Sequence, residues 1–410
     1  MWGTVIRAPF LFLAALHYFP MKITRRISAF ALLTGLFYFS IASGTTDKKA
    51  TSGKYLAFVG TYTTKTESKG IYAFEFDADT GKLAPKGIAA ETGDPSWVAI
   101  PPSGKYAYAA NEAGKASTVS AFSIDKKSGK LTQLNHMPSL GEDPCYLSFD
   151  KTGKFLFVAN YSSGTVAVFP VLADGRLGEH TALVKDQGAT GPNKERQEAP
   201  HAHWIGVTPG NFFVLVADLG LDKIMMYRFD ASNGSLVPHE PAFATVEPGA
   251  GPRHVAIHPS GRFVYTVSEL KSTVTVFSSA AQKKNQPYLV LKQQVSMLPK
   301  DFSRRNDAAE IAVHPNGKFL YASNRGHDSI AVFEINEAKG TLTAVADVPT
   351  GGKEPRHFAI DPTGKYLLAE NQFSNNIVVF KMDPSTGGLT PTGQVIQVPS
   401  PVDVTFVAAE

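Results

Sequence analysis

The 410-residue sequence contains a single cysteine, Cys145. It therefore cannot build an intramolecular disulfide framework, a four-cysteine zinc site or a CxxC redox pair. Charge is sparse as well: 19% of residues are charged and 43% are hydrophobic, a balance that fits neither a disordered chain nor a multi-span membrane protein. Positions 1–44 hold no Asp or Glu, although Arg7, Lys22, Arg25 and Arg26 lie there. The whole chain has 40 basic and 36 acidic residues, and taking away those four leaves 36 against 36. The net charge of +4 belongs to the first segment, and a neutral remainder gives no reason to expect a nucleic-acid partner. The sequence also lacks a GxSxG elbow, a P-loop, an HExxH pair and an EF-hand loop, so nucleophilic serine catalysis has no local support.

Within the acid-free segment, Ile27 to Ile41 is almost wholly apolar and is followed by Ala42, Ser43 and Gly44. A basic stretch, an apolar stretch and small residues in that order are the layout of a secretory signal peptide. A retained anchor would need about 20 apolar residues, more than this run supplies. No cysteine adjoins the run, which excludes a lipoprotein, and Met21 stands directly before Lys-Ile-Thr-Arg-Arg. We expect an extension and signal peptide over 1–44, with translation starting at Met21, a linker over 45–52 and one folded domain over 53–407. The expected destination is the periplasm or the outside of the cell, or the cytoplasm if the segment is not a working signal. With no second cysteine to mispair with, Cys145 is acceptable in an oxidising compartment.

Beyond residue 52 the chain repeats itself. Gly53-Lys54-Tyr55, Gly104-Lys105-Tyr106, Gly153-Lys154-Phe155, Gly261-Arg262-Phe263, Gly317-Lys318-Phe319 and Gly364-Lys365-Tyr366 are six copies of one turn, and Gly210-Asn211-Phe212 is a seventh. At the seventh we expect Gly210 to supply the permissive backbone. A proline-led apolar run precedes most copies, as at Pro252-Arg253-His254-Val255, and an aromatic and β-branched run follows. A further run then ends in an aromatic at Phe169, Phe277, Phe333 and Phe380, and Gly-x-Leu turns such as Gly340-Thr341-Leu342 introduce a fourth. Four strands per repeat and seven repeats predict an all-β, seven-bladed β-propeller. The first copy has no proline-led strand before it, and Pro401-Val402-Asp403-Val404 has no turn after it. The last strand should therefore complete the first blade and close the ring, which removes two exposed edges.

The Gly-Lys turns lie on one face, so the start of each innermost strand and the end of each second strand lie on the other. The innermost strands begin at Ser96, Cys145, His203, Arg253-His254, Ala309-Glu310 and Arg356-His357. The second strands end at Asn111-Glu112, Asn160-Tyr161, Asp218, Ser268-Glu269, Asn324-Arg325 and Glu370-Asn371-Gln372. Asn111, Asn160, Asn324 and Asn371 are expected to cap strand ends. The Arg-His pairs admit two readings, inter-blade salt bridges or a site. Their crowding on blades four to seven favours a site, because a device copied by duplication would be spread evenly. A long insert before blade four, running through Glu195-Arg196-Gln197-Glu198 to His201-Ala202-His203, joins the same face as a rim. A metal pair at His201 and His203 would need a third ligand, none is evident in the sequence, and we expect neither a metal nor another cofactor.

The segments Pro200-His201-Ala202-His203, Ala217-Asp218-Leu219-Gly220, Gly251-Pro252-Arg253-His254, Ser268-Glu269-Leu270 and Ser323-Asn324-Arg325-Gly326-His327-Asp328 resemble the seven-bladed propeller lactonases. That family is 6-phosphogluconolactonase-like and is related to the carboxymuconate cyclases. The resemblance spans 53–407 and implies hydrolysis of a sugar lactone, or lactone-forming isomerisation in the cyclase branch, without a cofactor. It also implies catalytic roles for His203, Arg253, Glu269 and Arg325. His201, Asp218, His254, Glu310, Arg356, His357 and Glu370 are expected at the substrate, with His203 or Glu269 as general base. The expected partner is a small anionic lactone, bound by a monomer that has no membrane attachment after signal cleavage. A non-catalytic propeller that binds a small anion or a partner protein on the same rim is the alternative.

Overall fold

The computed structural model describes residues 53–279 and 288–410. The expected signal segment, the start at Met21 and the linker lie outside the described residues. The described residues form seven antiparallel four-stranded sheets. Numbered in chain order, six of these blades are built from consecutive strands. In blade 4, for example, Ala202–Val207, Phe213–Asp218, Lys223–Asp230 and Ser235–Thr245 run from the innermost strand outwards. Blade 1 is the exception, as the sequence predicts: its innermost strand is the C-terminal Pro401–Ala408, paired with Lys54–Thr61 from Tyr55↔Ala408 to Thr61↔Pro401. Pairing of this last strand with Lys54–Thr61 closes the ring.

Hydrophobic burial follows the same plan. The core consists of seven clusters, and each fills the gap between two neighbouring blades. Val216 and Phe229 of blade 4 pack with Phe157 and Val168 of blade 3, and Val404 joins blades 7 and 1. A buried tyrosine in the second strand ties several blades to the next one. Tyr108, Tyr265 and Tyr321 donate to the carbonyls of Gly175, Gly340 and Gly387 at 2.7, 3.0 and 2.9 Å. These hydroxyls satisfy carbonyls of the Gly-x-Leu turns, so one recurring tyrosine gives the blades a common spacing.

The seventh turn differs from the sequence expectation. The residue with positive φ there is Asn211, at 60°, whereas the equivalent residues in other repeats are Gly104, Gly153, Gly261, Gly317 and Gly364 at 60–75°. Asparagine tolerates the left-handed region better than other side-chain-bearing residues. The turn register in this repeat is therefore one residue later than Gly210 indicated. Asn211 adds a second contribution, since its Oδ1 accepts the Lys151 amide of the neighbouring blade at 2.8 Å.

Candidate active site

Six of the seven innermost strands are interrupted near their start by a bulge that leaves one residue without a partner. In blade 4, Ala202 faces Asp218 and Trp204 faces Ala217, so His203 is skipped. Ser96, Cys145, Arg253 and Arg356 are skipped in the same way in blades 2, 3, 5 and 7, and Val402 is skipped in blade 1. In blade 6 the register jumps from Ala308 to Ile311. A bulge redirects a side chain that regular alternation would send to the other side of the sheet. Here the consequence is two stacked rings around the axis. Cys145, His203 and Arg356 from the skipped set line a cavity of about 460 Å³ at one mouth. The residues that follow them form the layer beneath: Trp97 packs on Tyr146 at 4.0 Å and edge-on to His254 and His357 at 5.5 and 5.2 Å.

The cavity wall comes from the residues that end the second strands or follow them, Glu112, Tyr161, Glu269 and Arg325, together with Arg196 from the long insert. The insert is fixed by fully buried Gln197, whose Nε2 donates to the Leu219 carbonyl at 2.8 Å and to Asp222 Oδ1 at 2.7 Å. Arg196 then reaches Glu269 Oε1 at 2.5 Å and the Tyr161 hydroxyl at 3.3 Å.

Glu269 is the electrostatic centre of the wall. Besides Arg196, its Oε2 lies 3.1 Å from Arg253 Nε and 3.2 Å from Arg325 Nη2. Burial by itself would raise the carboxyl pKa, but Arg325, Arg253, His203 and Arg196 outweigh burial and hold it well below the usual range. Glu269 is a firmly ionised organiser of guanidinium groups. The Arg253 contact is an ion pair more than a hydrogen bond, since its N–H is not aligned with the carboxylate. Desolvation, with repulsion from Arg325 and Arg356, lowers the Arg253 pKa to about 10.

His203 is 5% exposed, with Nδ1 3.6 Å from Cys145 Sγ. Burial and then the positive charge of Arg253 push its pKa well below the ordinary imidazole value, so the ring is neutral. Burial likewise pushes the Cys145 thiol up, which makes it a packing neighbour of the imidazole and not a thiolate nucleophile. Arg356 donates from Nη2 to the Tyr62 hydroxyl at 2.8 Å and lies over the Tyr62 ring. Arg325 donates from Nε to the Asp307 carbonyl at 3.1 Å and from Nη2 to the Ala308 carbonyl at 3.2 Å, which fixes the plane of its fork.

The residues expected at the site thus divide by location. His203, Glu269, Arg325 and Arg356 line the cavity, whereas Arg253, 3% exposed, is not among the lining residues and supports Glu269 from behind. His201 stands beside the cavity, stacked on Tyr161 at 4.5 Å with its Nε2 3.1 Å from Glu198. His254, Glu310, His357 and Glu370, expected at the substrate, lie in the buried layer below. His254 Nδ1 is 2.9 Å from Glu310 Oε2, and His357 Nδ1 is 2.7 Å from Glu370 Oε2. Asp218 is corrected outright. It is fully buried away from the cavity, accepts the amides of His201 and Leu221 at 3.0 and 2.9 Å, and caps its strand end. The four asparagines cap as expected; Asn111 Nδ2, for instance, donates to the Gly93 carbonyl at 2.6 Å. Arg196 and Glu112 are wall residues that were not singled out for a role from sequence. Position at a strand end pointed to Glu112, and nothing in the repeat pointed to Arg196. Among the described residues no group of three or more His, Cys, Asp or Glu is arranged to hold a metal ion.

A closed seven-bladed ring with a polar cavity at one mouth, lined by four arginines and five carboxyl groups, defines a propeller with a small-molecule pocket. The sequence profile of the family described as "Lactonase, 7-bladed beta-propeller" matches residues 56–406, and the chain belongs to that family. It is 41% identical over 307 residues to the 6-phosphogluconolactonase of Bacillus subtilis, covering 74% of this chain and 84% of the relative. It is 34% identical over 314 residues to the 6-phosphogluconolactonase of Formosa agariphila, covering 73% and 85%. Among solved structures, the periplasmic gluconolactonase of Pseudomonas aeruginosa superposes with a TM-score of 0.81 at 33% identity, over 87% of this chain and the whole of that one.

Proposed function

We propose that this protein is a sugar lactonase that hydrolyses the ester bond of an aldonolactone in the arginine-walled cavity and works in the periplasm. The observation that carries the reading is that His203 lines one cavity together with the guanidinium groups of Arg325 and Arg356. Hydrolysis of a lactone needs a base to take a proton from water, a cation for the charge that develops on the carbonyl oxygen, and an acid for the departing ring oxygen. His203 is the base: it lines the cavity, and burial and the charge of Arg253 disfavour the protonated ring. Glu269 is unsuited to that role, because three arginines already occupy its oxygens. Arg325 and Arg356 receive the oxyanion, since each carries permanent charge on a planar fork. Arg253, buried behind Glu269, acts through it.

The apolar, acid-free segment at 27–41 supports export, and export favours an unphosphorylated lactone, because phosphorylated gluconolactone is not an expected periplasmic metabolite. Among the described residues no helix is long and apolar enough to cross a membrane. Initial rates on gluconolactone and on 6-phosphogluconolactone, corrected for spontaneous hydrolysis, test the reading. Preference for the first with kcat/KM above 10⁴ M⁻¹ s⁻¹, about the lower end for working enzymes, is expected. No enzymatic rate on either lactone would overturn it in favour of a binding propeller, and turnover of muconate-type diacids alone would favour the cyclase chemistry.

A further inference from the structure

Hydrolysis at this site still needs a proton for the departing ring oxygen, and the acid groups of the cavity differ sharply in their surroundings. Five carboxyl groups line it: Glu112, Asp143, Glu269, Asp307 and Glu354. Glu269 is held by three arginines, Asp307 pairs with Arg305 at 2.9 Å, and Glu354 lies 3.9 Å from Arg325. Asp143 accepts the Gly114 amide at 2.8 Å and the Ser162 hydroxyl at 2.6 Å. Glu112 forms no ion pair among the described residues. The group at its oxygens is the Tyr62 hydroxyl, 3.0 Å from both, and Tyr62 in turn accepts from Arg356 Nη2 at 2.8 Å. Tyrosine thus stands between the carboxyl and the nearest guanidinium. Glu112 is oriented without being neutralised by a cation.

Resting on the lactonase reading, we propose that Glu112 is the general acid that protonates the ring oxygen when the tetrahedral intermediate collapses. In the first step His203 takes a proton from water while the water oxygen bonds to the carbonyl carbon, and the oxyanion forms against Arg325 and Arg356. In the second, the carbonyl re-forms, the bond from carbon to ring oxygen breaks, and that oxygen takes the proton of Glu112. The products are a carboxylic acid and an alcohol. The imidazolium of His203 returns its proton through solvent to Glu112, and the product acid releases one proton to the medium. Burial raises the Glu112 pKa above the ordinary carboxyl value, against the charge of Arg356 and the Ser96 and Tyr62 hydroxyls and with a smaller contribution from Asp143. Cys145, the other titratable group facing it, is an uncharged thiol. Two carboxyl groups in one cavity, Glu269 driven down and Glu112 driven up, divide the ionised and the protonated roles.

The test compares the wild type with Glu112→Gln and Glu112→Asp on gluconolactone and on its ring-sulfur analogue, gluconothiolactone, whose thiolate leaves without protonation. Glutamine should lower kcat on the lactone by about 10²–10⁴-fold, the range for one general acid, and by less than tenfold on the thiolactone. Aspartate should recover part of the lactone rate. The alkaline fall of kcat on the lactone, present in the wild type and Glu112→Asp, should be missing from Glu112→Gln, a readout that holds whether or not the thiolactone is accepted. Equal loss on both substrates, or an alkaline limb that persists in Glu112→Gln, would overturn the assignment. A wild type without lactone turnover would instead overturn the lactonase reading.

Discussion

Replacing Glu269 by glutamine keeps the shape of the side chain and removes the one negative charge shared by Arg196, Arg253 and Arg325. The amide would offer those guanidiniums a donor where they now find an acceptor. Removing one partner of a buried pair costs about 3–5 kcal/mol. Arg196, 30% exposed, recovers part of its loss through water, so the low end of that range applies, about 3 kcal/mol. Roughly 350 ordered residues at about 2.1 cal/mol/K each give an unfolding entropy near 0.7 kcal/mol/K, and the melting temperature should fall by about 4 °C. The pH dependence has a definite sign. A carboxyl held below its unfolded value stabilises fully above that value, about 4.3, and loses its contribution as the pH falls towards the folded one. Calorimetric or fluorescence melts of both proteins should show a gap that is constant from pH 8 to about 5 and narrows below about 4. A variant as stable as the wild type at pH 7, or a gap that widens in acid, would refute the view of Glu269 as the charge that holds the arginines.

Two further outcomes follow from the same electrostatics. His203→Gln should lower kcat by about 10²–10⁴-fold, the range for one general base. In the wild type, kcat/KM should stay level as the pH falls through 6.5, because the ring is already neutral there; an acid limb near 6.5 that disappears in His203→Gln would contradict this. Asp403, buried and accepting the Val98 amide at 2.8 Å, has its pKa raised by burial to about 7. A carboxyl raised in the fold costs stability as the pH climbs from its unfolded value through the folded one. Asp403→Asn should therefore match the wild type near pH 4 and exceed it above pH 7, by up to about 4 kcal/mol for a three-unit rise. Urea denaturation at the two pH values measures the difference, and a variant less stable at pH 8 would refute it.

The architecture could be read from sequence because the repeat is a local device. A glycine that must take positive φ, an aromatic after it and a proline-led strand recur at intervals the eye can follow, and the unpaired last strand announced ring closure. The one slip in register came from Asn211, which fills a glycine position by chemistry and not by identity. The site was legible in part for the same reason. Counting strand starts and ends placed His203, Glu269, Arg325 and Arg356 on one mouth, and all four line the cavity. What the count could not supply was depth. A bulge makes consecutive residues such as Arg253 and His254 occupy successive levels of the axis, so the strand start alone does not separate wall from floor. Asp218 was misplaced because a carboxylate that caps amides and one that meets a ligand look alike in a sequence. Arg196 escaped because its position depends on an irregular insert pinned by Gln197, a long-range contact with no periodicity to reveal it.

The central claim, that the arginine-walled mouth hydrolyses a lactone, is tested most directly by Arg325→Ala assayed on gluconolactone with the spontaneous rate subtracted. Arg325 lines the cavity and is fixed by the Asp307 and Ala308 carbonyls, so its removal should cost about 10²–10³-fold in kcat, as for the loss of one oxyanion donor. A folded Arg325→Ala protein that retains the wild-type rate would contradict the account.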